Sequence, residues 1–241
     1  MSLTEIDIIC GIFCITCVVI FAFLGSIIIS KYLEYRRREF VLFGITLIGL
    51  GEPMIGAALS FLIALITGQG LSVEIYFLIS LVGTPLTLVC FVTVVADFLY
   101  KDQQKTISLI FIIYGIIFEI FLIYFLINDP SMVGVLMSVT DSEYQTFARV
   151  WMVSILLVLV IGGTLFARES LKSDSPEIKL TGKLLLPAFY IFTICGILDT
   201  ALPLNAITIP LNRSFLIFSG ILFYIGFTLP DPVKNFFLKR K

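Results

Sequence analysis

The stretch FVLFGITLIGLGEPMIGAALSFLIALI, residues 40–66, contains one ionisable side chain, Glu52, followed at once by Pro53. As a helix it would be about 40 Å long at 1.5 Å per residue, more than the ~30 Å hydrocarbon core of a bilayer. Its apolar residues run on without the alternation that a barrel strand requires, so it reads as a membrane-spanning helix. The rest of the chain follows the same pattern. Windows of about 19 residues pick out seven apolar segments, at about 6–30, 40–66, 75–99, 107–127, 148–167, 184–204 and 208–229. Of 241 residues only 14% are charged, where a soluble domain carries about a quarter. The fold class that follows is all-α: one domain over residues 1–241, a multi-pass seven-transmembrane helix bundle in the cell membrane. The first apolar run is too long for a signal-peptide core and follows Glu5 and Asp7, not basic residues, so cleavage is not expected.

Basic residues give the orientation. Lys31 and Arg36, Arg37 and Arg38 follow helix 1, Lys101 and Lys105 follow helix 3, and Arg168, Lys172, Lys179 and Lys183 follow helix 5. With Lys234, Lys239, Arg240 and Lys241 in the tail, fourteen of the sixteen basic residues fall on one side, leaving Arg149 and Arg213 toward the other. By the positive-inside rule the N-terminus is outside and the C-terminus is cytoplasmic. Asp129, Asp141 and Glu143 then belong to a long outer loop after helix 4. The tail DPVKNFFLKRK is too short for an output domain, and its basic and aromatic residues suit anionic headgroups.

Ionisable groups inside a bilayer cost roughly 2.5–3.5 kcal/mol at a helix centre, so each is a candidate site or a structural pair. Glu52 falls at the midpoint of helix 2 and Glu119 near that of helix 4. Asp199 on helix 6 and Arg213 on helix 7 fall at one depth, about five residues outward of centre, and are expected to pair. No basic residue matches the depth of Glu52 or Glu119, and desolvation favours the neutral acid there. Pro53 has no N–H, so the carbonyl of Gly49 loses its helical partner, and Glu52 is placed either to serve it or to face a cavity. Glu119, between bulky neighbours, is expected to bond a hydroxyl or carbonyl of another helix. Glycines 44, 49, 51 and 56 allow close approach to helix 2. Pro85 is expected to kink helix 3, with Thr84 and Thr87 serving the freed groups. Pro187 reads as a first-turn proline of helix 6, and Asp97 as a local pair with Lys101. Tyr32, Tyr35, Tyr76, Tyr100, Tyr144 and Trp151 read as interfacial anchors.

Seven helices also admit a three-plus-one-plus-three repeat. FLGSIIISKYLEYRRRE then lies against IGGTLFARESLKSDSPE, GLGEPMIGAAL against ICGILDTALPL, and VTVVADFLYK against IGFTLPDPVK. In that register Glu52 matches Asp199 and Asp97 matches Asp231.

Several classes are excluded. The chain has no histidine, so imidazole ligation, Ser-His catalysis and a phospho-histidine relay are unavailable. No lysine lies in a helix core to carry a retinal Schiff base. The five cysteines lie within apolar runs, and Cys10, Cys14 and Cys17 share one helix face as small packing residues. No metal spacing, phosphate loop or nucleic-acid surface is present. The chain therefore reads as non-enzymatic, without cofactor, metal or catalytic residues.

Five segments carry a resemblance: GQGLSVEIYFLI (68–79), DFLYKDQQK (97–105), LFARESLKSDSPEIKLTGK (165–183), ILDTALPLNAIT (197–208) and GFTLPDPVKNFFLK (226–239). Through them the chain resembles a family of uncharacterised archaeal seven-transmembrane proteins. More distantly, its layout is similar to the seven-helix sensor region of some histidine kinases. The resemblance implies a stand-alone membrane domain and transfers no site residues. The expected function is a sensor or receptor-like bundle that binds a small or lipophilic ligand and acts on a cytoplasmic signalling partner. Its polar interior would be Glu52, Glu119, Asp199 and Arg213, with Pro53 and Pro85 allowing bending. The alternatives are a carrier of small solutes or protons and a structural protein.

Overall fold

The computed structural model describes residues 3–201 and 205–238. Seven helices in it are long and apolar enough to cross a membrane. They are α1 (Glu5–Tyr35), α2 (Arg38–Thr67), α3 (Val73–Leu99), α4 (Lys101–Asn128), α5 (Thr146–Lys172), α6 (Pro176–Ala201) and α7 (Thr208–Thr228). A short α8, Asp231–Leu238, follows with Phe236 and Phe237 exposed. The protein is thus a multi-pass helical membrane protein, and each span coincides with one of the seven apolar segments. Residues 202–204 and the tail residues 239–241, including Lys239, Arg240 and Lys241, lie outside the described residues.

Helices outrun their apolar windows because hydropathy marks the bilayer and not the end of helical hydrogen bonding. The largest shift is in α6, which begins at Pro176, a residue suited to a first turn. Pro187 therefore sits inside the helix and not in its first turn.

The ring order follows the chain: α1 packs on α2 and α7, α2 on α3, α3 on α5, α5 on α6, and α6 on α7. The fourth helix packs against α3 from outside this ring and turns Ile113, Ile116, Ile120 and Ile127 outward. Such a face suits hydrocarbon and would not suit water. The tightest contact joins α1 and α2. A β-carbon on Gly25 would lie 2.7 Å from the carbonyl of Gly44, and one on Gly44 equally close to the carbonyl of Gly25. Small residues are what permit helix backbones to approach this far.

The bundle has two ends, named here for the terminus each carries. Toward the C-terminal end the ring is filled by aromatic rings. Phe43 stacks on Phe227 with centroids 4.0 Å apart, and Phe223 meets Phe189 edge-on at 4.8 Å. Phe21 and Phe192 extend the layer toward mid-bundle. At this end Arg38 pairs with Asp97 at 2.6 Å, so Asp97 is held across helices and not by Lys101. Lys234 of α8 pairs with Glu177 of α6.

At the N-terminal end the loop after α4 is not irregular. Gly134–Leu136 (β1) pairs antiparallel with Ser142–Tyr144 (β2), Val135 opposite Glu143. This hairpin departs from a wholly α-helical chain. Its turn is local chemistry: the Asp141 carbonyl accepts from the Met137 and Ser138 N–H groups, and Ser138 Oγ accepts from those of Thr140 and Asp141. Short polar side chains close turns in this way. Two supposed interfacial anchors belong to the interior instead. Tyr76 and Trp151 are 3% exposed because each has a buried acceptor, described next.

Candidate functional site

Two broken helices form the framework. The α2 helix stops at Leu50, makes a 3-10 turn over Glu52–Met54 and resumes at Ile55. In α3 the break falls between Leu81 and Thr84. Pro85 cannot donate to the carbonyl of Leu81, and Thr84 Oγ1 donates to it instead at 2.7 Å. That hydroxyl accepts in turn from Trp151 Nε1 of α5 at 2.8 Å. Thr87 Oγ1 donates to the Gly83 carbonyl at 3.1 Å. Both helices are interrupted at their prolines, and of the two threonines only Thr84 serves the carbonyl that Pro85 frees, since the Gly83 carbonyl also accepts from the Thr87 N–H at 3.0 Å.

Glu52 behaves differently from expectation. It is buried, and its Oε1 accepts from the backbone N–H of Gly83 in the α3 break. The carboxyl thus joins two broken helices and does not serve the Gly49 carbonyl. The side of Gly49 is taken by the Thr87 hydroxyl. Glu119 makes no such bond; its Oε1 is buried without a partner. It lies one turn beyond Gly115, which packs against Pro85, so the two glutamates flank the α3 break from different helices.

Above the break in α2, toward the N-terminal end, lies a cavity of about 140 Å³. Pro53, Met54 and Ala57 form one wall, Asp199 and Arg213 another, and the hairpin residues 140–144 the roof. Sequence reasoning paired Asp199 with Arg213, and the structure brings them together, Nη1 to Oδ1 at 3.0 Å. The approach is too oblique for a hydrogen bond: Arg213 Nε and Nη1 are buried and donate none. Asp199 also accepts from Asn212 Nδ2 at 3.2 Å. A guanidinium carries five N–H donors. Here one is 6% exposed with a single carboxylate beside it, which leaves it short of acceptors.

The roof is fastened by Asp7. Its Oδ1 accepts from Ser138 Oγ at 2.6 Å and from Thr140 Oγ1 at 3.0 Å. Its Oδ2 accepts from the N–H and hydroxyl of Thr4 at 2.9 and 2.6 Å, closing the capping box of α1. Tyr76 Oη donates to the Thr140 carbonyl at 3.4 Å, and Arg149 donates to Glu143 and to the Tyr144 carbonyl. Burial pushes the Asp141 carboxyl above its ordinary value, the charges of Asp199 and Asp7 add to this, and Arg213 opposes it. Cys10, Cys14 and Cys17 are buried, and Cys14 lines the cavity.

Of the four polar residues expected to form one interior, Asp199 and Arg213 line the cavity and Glu52 and Glu119 do not. Pro53 lines it, whereas Pro85 belongs to the neighbouring break. Sequence reasoning missed Asp7, Asp141 and Tyr76. Asp7 had a legible signal in TEID, residues 4–7, a threonine with an acid three residues on. Among the described residues no three His, Cys, Asp or Glu side chains are grouped to hold a metal ion. The fold and site define a multi-pass helical membrane protein with a roofed cavity that has a buried ion pair on its wall. No family model, curated protein or solved structure matches the chain.

Proposed function

We propose that the protein is a receptor-like membrane domain that binds a small ligand under the hairpin and signals through a separate cytoplasmic partner. The observation that carries this reading is Arg213, a buried guanidinium on the cavity wall whose Nε donates to nothing. Asp199 is the one carboxylate paired with this guanidinium, and its spare N–H donors suit a ligand bearing an acceptor, a carboxylate or carbonyl. The reading includes an outside N-terminus and a cytoplasmic C-terminus in the cell membrane, supported by the fourteen basic residues on one side. It includes no catalysis and no cofactor. The aromatic layer between the cavity and the C-terminal end favours a receptor, because it leaves the cavity facing one side. The breaks in α2 and α3 beside the cavity are where ligand contact would become helix movement.

The same breaks favour a second reading, a carrier, since discontinuous helices at mid-depth recur in transporters. An α4 outside a ring of six is also the arrangement an inserted helix between two triple-helix repeats would leave. Sidedness separates the readings. In sealed vesicles of one orientation, Ala57→Cys in an otherwise cysteine-free protein is treated with a membrane-impermeant thiol reagent. A receptor gives labelling from the N-terminal side alone; a carrier gives labelling from both. Labelling from neither side contradicts both and leaves a structural role.

A further inference from the structure

The roofed cavity carries a charge that its ion pairs do not balance. Arg149 is taken by Glu143, and Asp199 by Arg213. Asp141 lines the same cavity and joins no ion pair among the described residues. The Ser142 N–H lies beside its carboxyl, Asp199 and Asp7 add negative charge around it, and Arg213 opposes them. The carboxyl stays reachable, since neither of its oxygens is sealed inside the protein. Arg213 presents the opposite charge. Its Nε and Nη1 are sealed, so Nη2 is the nitrogen that a molecule in the cavity can meet.

Most other polar side chains of the cavity are occupied. Thr140 donates to Asp7, Tyr76 donates to the Thr140 carbonyl, and Ser142 bonds the Tyr76 hydroxyl. The Cys14 thiol lies 3.9 Å from that of Cys10. The Tyr144 hydroxyl is reachable, but it can donate or accept and so serves a ligand of either charge. The rest of the lining is apolar, Leu50, Met54, Leu156, Phe192 and Leu216 among it. At about 140 Å³ the cavity is smaller than the ~300–1,000 Å³ of pockets for drug-sized ligands. An acid alone would satisfy Arg213 Nη2 but would add a negative charge near Asp141. An amine alone would pair with Asp141 and leave Nη2 without an acceptor. A small molecule with both ends meets both groups, and such attractions are stronger in a cavity than in open water.

We propose that the cavity takes a small zwitterion, an aliphatic α-amino acid, with its ammonium at Asp141, its carboxylate at Arg213 Nη2 and its side chain on the apolar lining. This rests on the receptor reading above and narrows its ligand. Asp141 belongs to the hairpin and Arg213 to α7, so one bound molecule ties the roof to a membrane helix.

The test is protection of Ala57→Cys, in the otherwise cysteine-free full chain in lipid nanodiscs, from an uncharged methanethiosulfonate. L-Valine and L-leucine are compared with 3-methylbutanoate and 4-methylpentanoate, which lack the amine, and with 2-methylpropan-1-amine and 3-methylbutan-1-amine, which lack the carboxylate. At least one amino acid should halve the labelling rate at a concentration lower than its acid or amine needs. The expected margin is about tenfold or more, the scale of one hydrogen bond to a charged group. In Asp141→Asn the amino acid should fall to the level of its acid, and in Arg213→Gln to that of its amine. The acid should protect Asp141→Asn at least as well as the parent, which a collapsed cavity would not allow. The proposal is overturned if neither amino acid protects, if the acid or the amine protects equally well, or if Asp141→Asn keeps the advantage of the amino acid. Protection by the acid alone removes the zwitterion and leaves the receptor reading standing. Absence of labelling at Ala57→Cys removes the open cavity and with it both.

Discussion

Asp7 and Thr140 are 133 residues apart in sequence, yet the Thr140 hydroxyl donates to Asp7 Oδ1 at 3.0 Å. One carboxylate at the start of α1 thereby holds the roof of the cavity, helped by Ser138. Hydrogen bonds to a charged group contribute about 1.5–3 kcal/mol each. Asp7→Asn should weaken the roof and leave the membrane helices intact. Amide exchange at residues 134–144 should then accelerate tenfold or more, with α4 unaffected. Unchanged exchange in the hairpin would show that Arg149 and Tyr76 hold it alone.

The bond from the Gly83 N–H to Glu52 joins the two helix breaks. Glu52→Gln keeps an acceptor oxygen and should cost less than about 1 kcal/mol. Glu52→Leu leaves the N–H buried and unpaired and should cost about 1–3 kcal/mol. Gly83→Ala should be comparably harmful, because its β-carbon would lie 2.5 Å from Glu52 Oε2. Unfolding by denaturant in nanodiscs orders the three; equal stability for Gln and Leu would refute the role given to Glu52.

Thr84 accepts from Trp151 Nε1 and donates to the carbonyl freed by Pro85. Thr84→Val removes both bonds at nearly constant volume and should cost about 1–3 kcal/mol. Trp151 is the single tryptophan of the chain, so its emission reports the site directly. It should move to shorter wavelength in Thr84→Val and return to the parent value in Thr84→Ser.

Burial raises the Asp141 carboxyl above the ordinary aspartate range. The folded protein then holds that proton more tightly than the unfolded chain does. The resulting stability is fully present below the unfolded value and is lost as pH rises through the raised one. Unfolding midpoints of the parent should therefore fall with rising pH across that window relative to Asp141→Asn. Curves that stay parallel throughout would contradict the assignment.

The seven spans were legible because each keeps an apolar run long enough for a bilayer, a property local to the sequence. The Asp199–Arg213 pair was legible for a related reason: two ionisable groups at one depth on adjacent helices have few other partners. The proline breaks were legible too, since a missing N–H is written in the chain. The partner of Glu52 was not. Its acceptor role depends on which face of α3 the Pro85 break presents, and residue spacing carries no such information. Tyr76 and Trp151 misled for a similar reason. An aromatic near a span end looks the same whether it meets headgroups or, as here, a carbonyl of Thr140 or the hydroxyl of Thr84. The hairpin was missed because three-residue strands are too short to show a period.

The central claim is that Arg213 is the recognising group of an accessible cavity. It is tested most directly by the charge selectivity of thiol labelling at Ala57→Cys, which lines the same cavity. The rate with a sulfonate-bearing methanethiosulfonate is divided by the rate with its trimethylammonium counterpart, for Arg213, Arg213→Lys and Arg213→Gln. The account predicts a ratio that drops at least tenfold in Arg213→Gln and is largely kept in Arg213→Lys. A ratio that is the same in all three would contradict it.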